Sequence, residues 1–457
     1  MKKKLTNRWI YLFILIVMPS TVFCTLNSYK KQPSVYPIEF AGVEKSKIYE
    51  LAINGVPVFV GSESCYGDRI FEIAQCNISK DASVTIRKSD IIENYRIRPL
   101  SKEIHGELIN GELHFKVSKP QMLYVEVDQE TPLLLFLTPF GKDIPEETDK
   151  DVVYFGPGIH EAGVIQPQSG QTIYLAPGAR VKGRIYAENA NDVKVLGRGV
   201  LDARGYTNKP DKICGIEFKN CDNIKVEGIG LRTGEWWQTL FLLCNNIEVD
   251  WMNLLSFGLN NDGIDIDGVT NFYVHDCFIG CGDDGFGWHA VDGEANGEPP
   301  TQDCLAENCV IYNTHAGNGL RVGASMETQL FRNITFRNID VLEHANYGIR
   351  SDYSDWALSE NISFENFHIE KPKNAINVKI EKTRYSNDTG YRDERGNING
   401  LNFINLQTAG GHIVLNGYDE DHAIRNVIFK NCRVQGRPLT IYDMEVNDHV
   451  YNLNIKK

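Results

Sequence analysis

Past its first residues, this chain of 457 residues has no run apolar enough to cross a bilayer, which excludes helical spans from its body. It has no low-complexity tract. Cationic residues are the minority, 47 Lys and Arg against 60 Asp and Glu, giving a net charge of -13. That balance argues against a nucleic-acid partner and against polyanions held by charge alone. A local basic pocket can override it, and an acidic surface is also the ordinary outcome of solubility. The 11 cysteines include no Cys-x-x-Cys pair, and the His residues do not fall at zinc spacing. No structural metal and no cofactor are expected.

What is present starts with a leader. Met1 to Arg8 is basic, and Trp9 to Met18 is an apolar run too short to span a membrane. Residues 1–24 therefore read as a signal peptide, and the protein is expected to be exported. Cys24 follows Thr21-Val22-Phe23. A small residue before it would make a good bacterial lipoprotein site, and Phe23 departs from that. Plain secretion and a lipid anchor on Cys24 at an outer-membrane surface both fit.

The body repeats a short pattern: Asn223-Ile-Lys-Val-Glu, Asn246-Ile-Glu-Val-Asp, Asn271-Phe-Tyr-Val-His, Asn333-Ile-Thr-Phe-Arg, Asn361-Ile-Ser-Phe-Glu and Asn426-Val-Ile-Phe-Lys. Apolar and polar residues alternate, with β-branched and aromatic types favoured, which is strand and not helix. A strand this short cannot bury its face alone, but stacked copies can. Weaker copies start near Asp192, Asp303 and Gly400, and five positions after the start many units place a small or polar residue: Asp276, Asn308, Asn338, Asn366, Asn405 and Asn431. Asn tolerates a left-handed bend, and its amide can bond the coil above. Cys277, Cys309 and Cys432 share the next position and read as small inward core residues. The expected fold is all-β: a right-handed parallel β-helix over 147–457, with a propeller or an irregular sandwich as the other reading.

Residues 33–145 lack the repeat. Val56-Pro57-Val58-Phe59-Val60, Leu113 to Val117 and Leu123 to Val127 read as strands, with turns at Asn54-Gly55 and Asn110-Gly111. Pro57 cannot donate to a ladder, so its run is expected at a sheet edge. The region reads as an antiparallel β-sandwich of its own, joined through a charged linker from Lys142 to Asp151. Capping the open end of the helix is its expected role. Cys65 and Cys76 could form a disulfide in an oxidising compartment.

Two acidic blocks carry the chemistry. Asn260-Asn261-Asp262-Gly263-Ile264-Asp265 and Gly282-Asp283-Asp284-Gly285 place Asp262 and Asp283 21 residues apart. One coil apart, they would stack roughly 4.8 Å along the axis. Carboxylates that close cannot all ionise, so one keeps its proton while another carries charge. That equips a site to split a glycosidic bond, although either block alone is also an ordinary turn sequence.

These blocks resemble the polygalacturonase family, glycoside hydrolase family 28. That family carries Asn-Thr-Asp-Gly, Asp-Asp, Gly-His-Gly and Arg-Ile-Lys on successive coils. The counterparts here are Asn260 to Gly263, Asp283-Asp284, Gly317-Asn318-Gly319 and Ile349-Arg350. Glu235-Trp236-Trp237 resembles the family's Trp-containing stretch, and the likeness runs from about residue 150 to 435. A sandwich followed by the helix is similar to family 49, the dextranase and isopullulanase group. The resemblance implies an inverting hydrolase with Asp283 as acid and Asp262 and Asp284 sharing the base role. Asn318 stands where the family has His, and Ser351-Asp352 where it has Ile-Lys. An Asp there would repel a uronate, so a neutral glycan is expected, with Arg321 able to hold a carboxylate otherwise.

Trp237 is the first choice for stacking on a sugar, ahead of Trp236 and Trp288. His289, Arg321, Arg350, Asn318 and Asp265 are candidate substrate-binding residues, Asp265 from just behind the catalytic groups, and Asp267 is expected to face solvent. His275 is expected on the exterior. The connection from Asp292 to Asp303, with Pro299-Pro300, is expected to wall one end of the cleft. A lyase or a glycan-binding module are the other readings. Both are disfavoured by three clustered aspartates, because a binder has no need of them and a lyase needs a base and usually a metal or Arg to neutralise the carboxylate at the site.

Overall fold

The computed structural model describes residues 35–387 and 392–457. The leader and Cys24 lie outside the described residues. From Val152 onward the chain winds as a right-handed parallel β-helix built of a 12-stranded sheet and a 21-stranded sheet that wraps the other faces. One coil runs through Asn245–Asp250, Asn253–Leu255 and Ile264–Asp267, and the next through Thr270–His275, Phe278–Cys281 and Phe286–Ala290. Alternation decides which way each side chain faces. Ile247, Val249, Phe272 and Val274 turn inward and are buried, while Glu248 and Tyr273 between them stay outside.

Identical positions stack. Ring centroids of Phe364 and Phe403 lie 5.0 Å apart, and those of Phe403 and Phe429 4.5 Å. Each fully buried Phe contributes about 1.5–3 kcal/mol relative to exposure. Cys277, Cys309 and Cys432 are buried in this core. The six bend residues from Asp276 to Asn431 all have left-handed backbone. The Asn338 amide donates to Asn308 at 3.1 Å, Asn366 to Asn338 at 3.0 Å and Asn405 to Asn366 at 2.8 Å, a ladder that satisfies each bend through its neighbour. A second ladder joins the unit starts, with Asn246 donating to Asn223 at 3.1 Å and Asn361 to Asn333 at 3.3 Å.

The amino-terminal region forms a seven-stranded and a five-stranded sheet facing one another over a core of Leu51, Ile53, Val84, Leu123 and Leu135. Val56–Val58, with Pro57, is an edge strand, and Asn54-Gly55 and Asn110-Gly111 turn through positive φ. Three expectations are corrected. The region is not purely antiparallel, because Leu133–Thr138 pairs parallel with Arg69–Ile78. It does not cap the helix end. Phe71, Met122 and Phe136 pack against Val200, Leu255, Phe278, Val310 and Leu342, so it lies along one flank across several coils. Apolar alternation on both faces of the Leu133–Thr138 strand, all buried, is what requires that cover. Cys65 and Cys76 are unpaired, since Cys65 faces the flank contact while Cys76 faces the sandwich core. The flank contact also holds a buried ion network in which Glu63 takes Arg180 at 2.7 Å and Arg232 at 3.1 Å.

Candidate active site

Both acidic blocks fall in turns that enter the third strand of a coil. The Gly263 N–H donates to the Asp284 carbonyl at 2.8 Å, and Gly285 N–H to that of Asn318 at 3.1 Å. The turns therefore stack, and Ile264 pairs with Phe286. In that register Asp262 aligns with Asp284, not with Asp283 as expected. Asp283 stands one residue earlier and projects half-buried into the cleft, whereas Asp262 and Asp284 are buried. Gly317 makes room for it: backbone at φ +65, and a Cβ there would lie 2.3 Å from Asp283 Oδ1.

Asp262, Asp283 and Asp284 each bring an oxygen within 4.8 Å of the others. The turns that carry them stack in direct hydrogen-bonded contact, which holds the three this close. Asp284 Oδ1 accepts the Asn318 main-chain N–H at 2.8 Å and its side-chain amide at 2.6 Å, and Arg321 Nη1 lies 3.6 Å from Oδ2. Burial pushes its carboxyl up, while Arg321 and the Asn318 donors pull it back. Asp262 is pushed well above the usual range by burial and by the charges of Asp265, Asp283 and Asp284. Asp283 is raised to about 6 by burial and by Asp284, with Arg321 opposing. The cluster titrates as a unit, with Asp284 best provided to carry charge and Asp283 placed to give a proton outward.

Asp265 is fully buried behind His289 and does not reach the cavity, so the expectation that it touches sugar is corrected. Its Oδ1 lies 3.3 Å from His289 Nε2, while His289 Nδ1 donates to the Gly323 carbonyl. Burial and Arg321 lower the imidazole to about 4, so the ring is neutral and Nε2 is an acceptor. The proton between them then sits on Asp265, whose carboxyl burial and the charges of Asp284 and Asp283 hold well up. Gly287, paired directly beside Asp265, leaves the space: a Cβ there would be 2.1 Å from Asp265 Oδ1.

His289 also stacks on Trp237, centroids 5.5 Å apart at 16°, and Trp237 on Trp236 at 5.2 Å and 17°. Asp267 does not face solvent as expected. It is buried, accepts the Val291 N–H at 2.8 Å, and is pushed up to about 8 by burial. Val291, Asp292 and Asn296, on the connection that follows Phe286–Ala290 one coil on, line the cavity beside it. Trp288 points into the core. His275 lies half-buried on the outer sheet, 2.8 Å from Asp276.

A cavity of about 470 Å³ is lined by Trp236, Trp237, His289, Arg321 and seven carboxylates, Asp211, Glu217, Asp262, Asp267, Asp283, Asp284 and Asp292, against Lys212 and Arg321 as its cations. A second, of about 570 Å³, shares Asn260, Asp283, Arg321 and Tyr385 with the first and adds Lys209, Asn318, Arg350, Asp352 and Arg384. Asp283 thus stands where the two meet. Asp352 does not act as a bare repelling charge. It is fully buried and bound by Arg321 at 2.6 Å and Arg350 at 3.0 Å. Sequence reasoning missed this pairing, although Arg350 and Asp352 alternate onto one strand face. It also missed Lys209, Asp211 and Tyr385, which stand on irregular loops with no periodic signal.

Fold and site together define a right-handed parallel β-helix with a flanking sandwich and a carboxylate-centred cleft. Among solved structures the chain is similar to Dex49A from Penicillium minioluteum, at 13% identity and a TM-score of 0.62, covering 93% of this chain and 96% of that one. An exopolygalacturonase from Thermotoga maritima matches at 19% identity and a TM-score of 0.49, over 62% of this chain and 78% of that one. Among curated proteins, Polygalacturonase QRT2 of Arabidopsis thaliana is 29% identical over 117 residues, 22% of this chain and 26% of the relative. That match thus spans about a quarter of the relative's length. No protein-family model matches the chain.

Proposed function

We propose that this protein is a glycoside hydrolase that acts on a neutral glycan, of the α-glucan type, by inversion. The observation that carries the hydrolase reading is the trio Asp262, Asp283 and Asp284, with oxygens within 4.8 Å of one another, at the junction of two cavities. A sugar on each side of that junction puts the glycosidic oxygen at Asp283, which protonates it as the bond breaks. Asp262 and Asp284 lie close enough to hold one water between them, since a water reaches an oxygen about 2.8 Å away on either side. Asp284, supported by Asn318, takes its proton. Separation of the carboxyl groups alone would also suit a covalent intermediate. The pairing of two carboxylates on one water, together with the family resemblance, favours inversion, and proton NMR of the first product before mutarotation decides it.

Neutrality is supported by the first cavity's lining, where carboxylates outnumber the cations Lys212 and Arg321 even with Asp262 and Asp267 holding protons. The α-glucan preference is supported by the likeness to Dex49A over 93% of the chain and by the family 49 layout. A second reading, a polygalacturonate-type substrate, is favoured by Lys209, Arg321, Arg350 and Arg384 around the second cavity. A screen of neutral and acidic polysaccharides with product sizing separates the two. Reducing sugar released without a gain in ultraviolet absorbance marks hydrolysis; a gain marks a lyase, and no product marks a binder. The basic and apolar leader supports export, with attachment through Cys24 read by lipid labelling.

A further inference from the structure

The sandwich touches the loop that leads into the first acidic block. Between strands Gly61–Cys65 and Arg69–Ile78 a hairpin turns through Tyr66 and Gly67. The Phe257 N–H donates to the Tyr66 carbonyl at 2.8 Å. Gly67, at φ +87, comes so near that a Cβ on it would lie 2.4 Å from the Phe257 carbonyl carbon. From the other side, a Cβ on Gly258 would lie 2.3 Å from Tyr66 Cε1. Two glycines, one in each element, thus permit a contact that no larger residue would. Phe257 continues it inward against Phe71 of the sandwich, centroids 5.3 Å apart.

The loop so held leads to Asn261, which is fully buried. Its Oδ1 accepts the Gly258 N–H at 2.7 Å, and its Nδ2 donates to the carbonyls of Gly234 at 2.5 Å and Trp236 at 2.6 Å. Its own carbonyl accepts the N–H groups of Gly282 at 3.1 Å and Asp283 at 3.3 Å. One residue therefore joins the loop to Asp262, to the backbone of Asp283 and to the Trp236–Trp237 wall. Trp236 sits at φ +97, a conformation that a bulky residue keeps only when its surroundings hold it there.

We propose that the sandwich is a working part of the active site, its Tyr66–Gly67 hairpin positioning both carboxylate blocks and the tryptophan wall through the Phe257–Asn261 loop. The catalytic consequence rests on the hydrolase reading above. The positioning itself does not.

The test uses the full chain with Tyr66→Phe, Tyr66→Ala and Gly67→Ala. Tyr66 is 39% exposed, so truncating it leaves both cores intact. Tyr66→Ala is expected to lower kcat by roughly tenfold to a hundredfold, the range for a small displacement of reacting groups, with KM little changed. Its near-ultraviolet circular dichroism should change in the tryptophan region. Tyr66→Phe, which keeps the ring over Gly258, should restore both readouts. Gly67→Ala displaces the contact instead of deleting it, and serves if Tyr66→Ala fails to fold. Wild-type kcat and an unchanged tryptophan spectrum in Tyr66→Ala and Gly67→Ala would overturn the proposal. So would a Tyr66→Phe enzyme as impaired as Tyr66→Ala, which would assign the hydroxyl to the substrate. Should the wild type yield no product from any glycan, the hydrolase reading fails alone, and the spectra still decide the positioning.

Discussion

Arg321 grips Asp352 through two parallel hydrogen bonds, Nε to Oδ1 at 2.8 Å and Nη2 to Oδ2 at 2.6 Å. A guanidinium fixed that way presents its remaining Nη1 toward Asp284, 3.6 Å from the carboxylate. Asp352 is thus the anchor that aims the cleft's central cation, and the pair is mostly desolvated.

Removing one partner leaves the other charge buried and uncompensated. Asp352→Ala is expected to destabilise the protein by about 3–5 kcal/mol, well beyond an exposed pair. Urea unfolding of the variant measures it. A loss below about 1 kcal/mol, the value for an exposed pair, would show that the pair is not the anchor described.

The Asp265–His289 contact makes a sharper chemical prediction. An amide at position 265 can donate to His289 Nε2 as the protonated carboxyl does. Asp265→Asn should therefore keep most of the wild-type turnover, whereas Asp265→Leu, which cannot donate, should lose about tenfold or more. Steady-state kinetics of the two variants check this. If Asp265→Asn is as inactive as Asp265→Leu, the carboxyl works ionised and the tautomer assignment is wrong.

Asp267 gives a stability test. Its folded carboxyl titrates at about 8 because of burial. In the unfolded chain an Asp titrates near 4, so across that window the folded state holds a proton that the unfolded state has released. Stability must fall as pH rises from about 4 toward 8. Asp267→Asn removes the effect, and its amide oxygen can still accept the Val291 N–H. Its melting temperature should exceed wild type by several degrees at pH 8 and equal it at pH 4. Parallel melting curves at both pH values would contradict the assignment.

Trp237 stacks on Trp236 and His289 along one wall of the first cavity. Trp237→Ala should raise KM by roughly tenfold, the worth of one aromatic contact, and change kcat less. An unchanged KM would remove Trp237 from the sugar-binding surface.

Much of this fold could be read from alternation and from the asparagines. Periods of two fix which residues turn inward, and Asn at Asn338, Asn366 and Asn405 marks bends because few other residues accept positive φ there. The clustering of carboxylates followed from their placement in successive repeats. The register did not, because the length of the connections changes from coil to coil: Ile264 pairs with Phe286, 22 residues on, and that step puts Asp284, not Asp283, over Asp262. Nor did the partners of Asp352, since an ion pair between Arg321 and Asp352 depends on strand pairing and not on sequence distance. The flank position of the sandwich was hidden for a similar reason. Its covering face, Phe71, Met122 and Phe136, is apolar whether it caps an end or lies along a side.

The central claim is that Asp283 gives the proton that releases the leaving sugar. Its carboxyl is raised to about 6, so the acid form is lost as pH rises through that value, and the rate should fall with it. Asp283→Asn is isosteric and cannot donate a proton. The measurement is kcat of Asp283→Asn beside wild type on the best glycan from the screen, with folding checked by circular dichroism. The account predicts a folded protein that binds the glycan and turns it over at least about a hundredfold more slowly. A near-normal rate would contradict it.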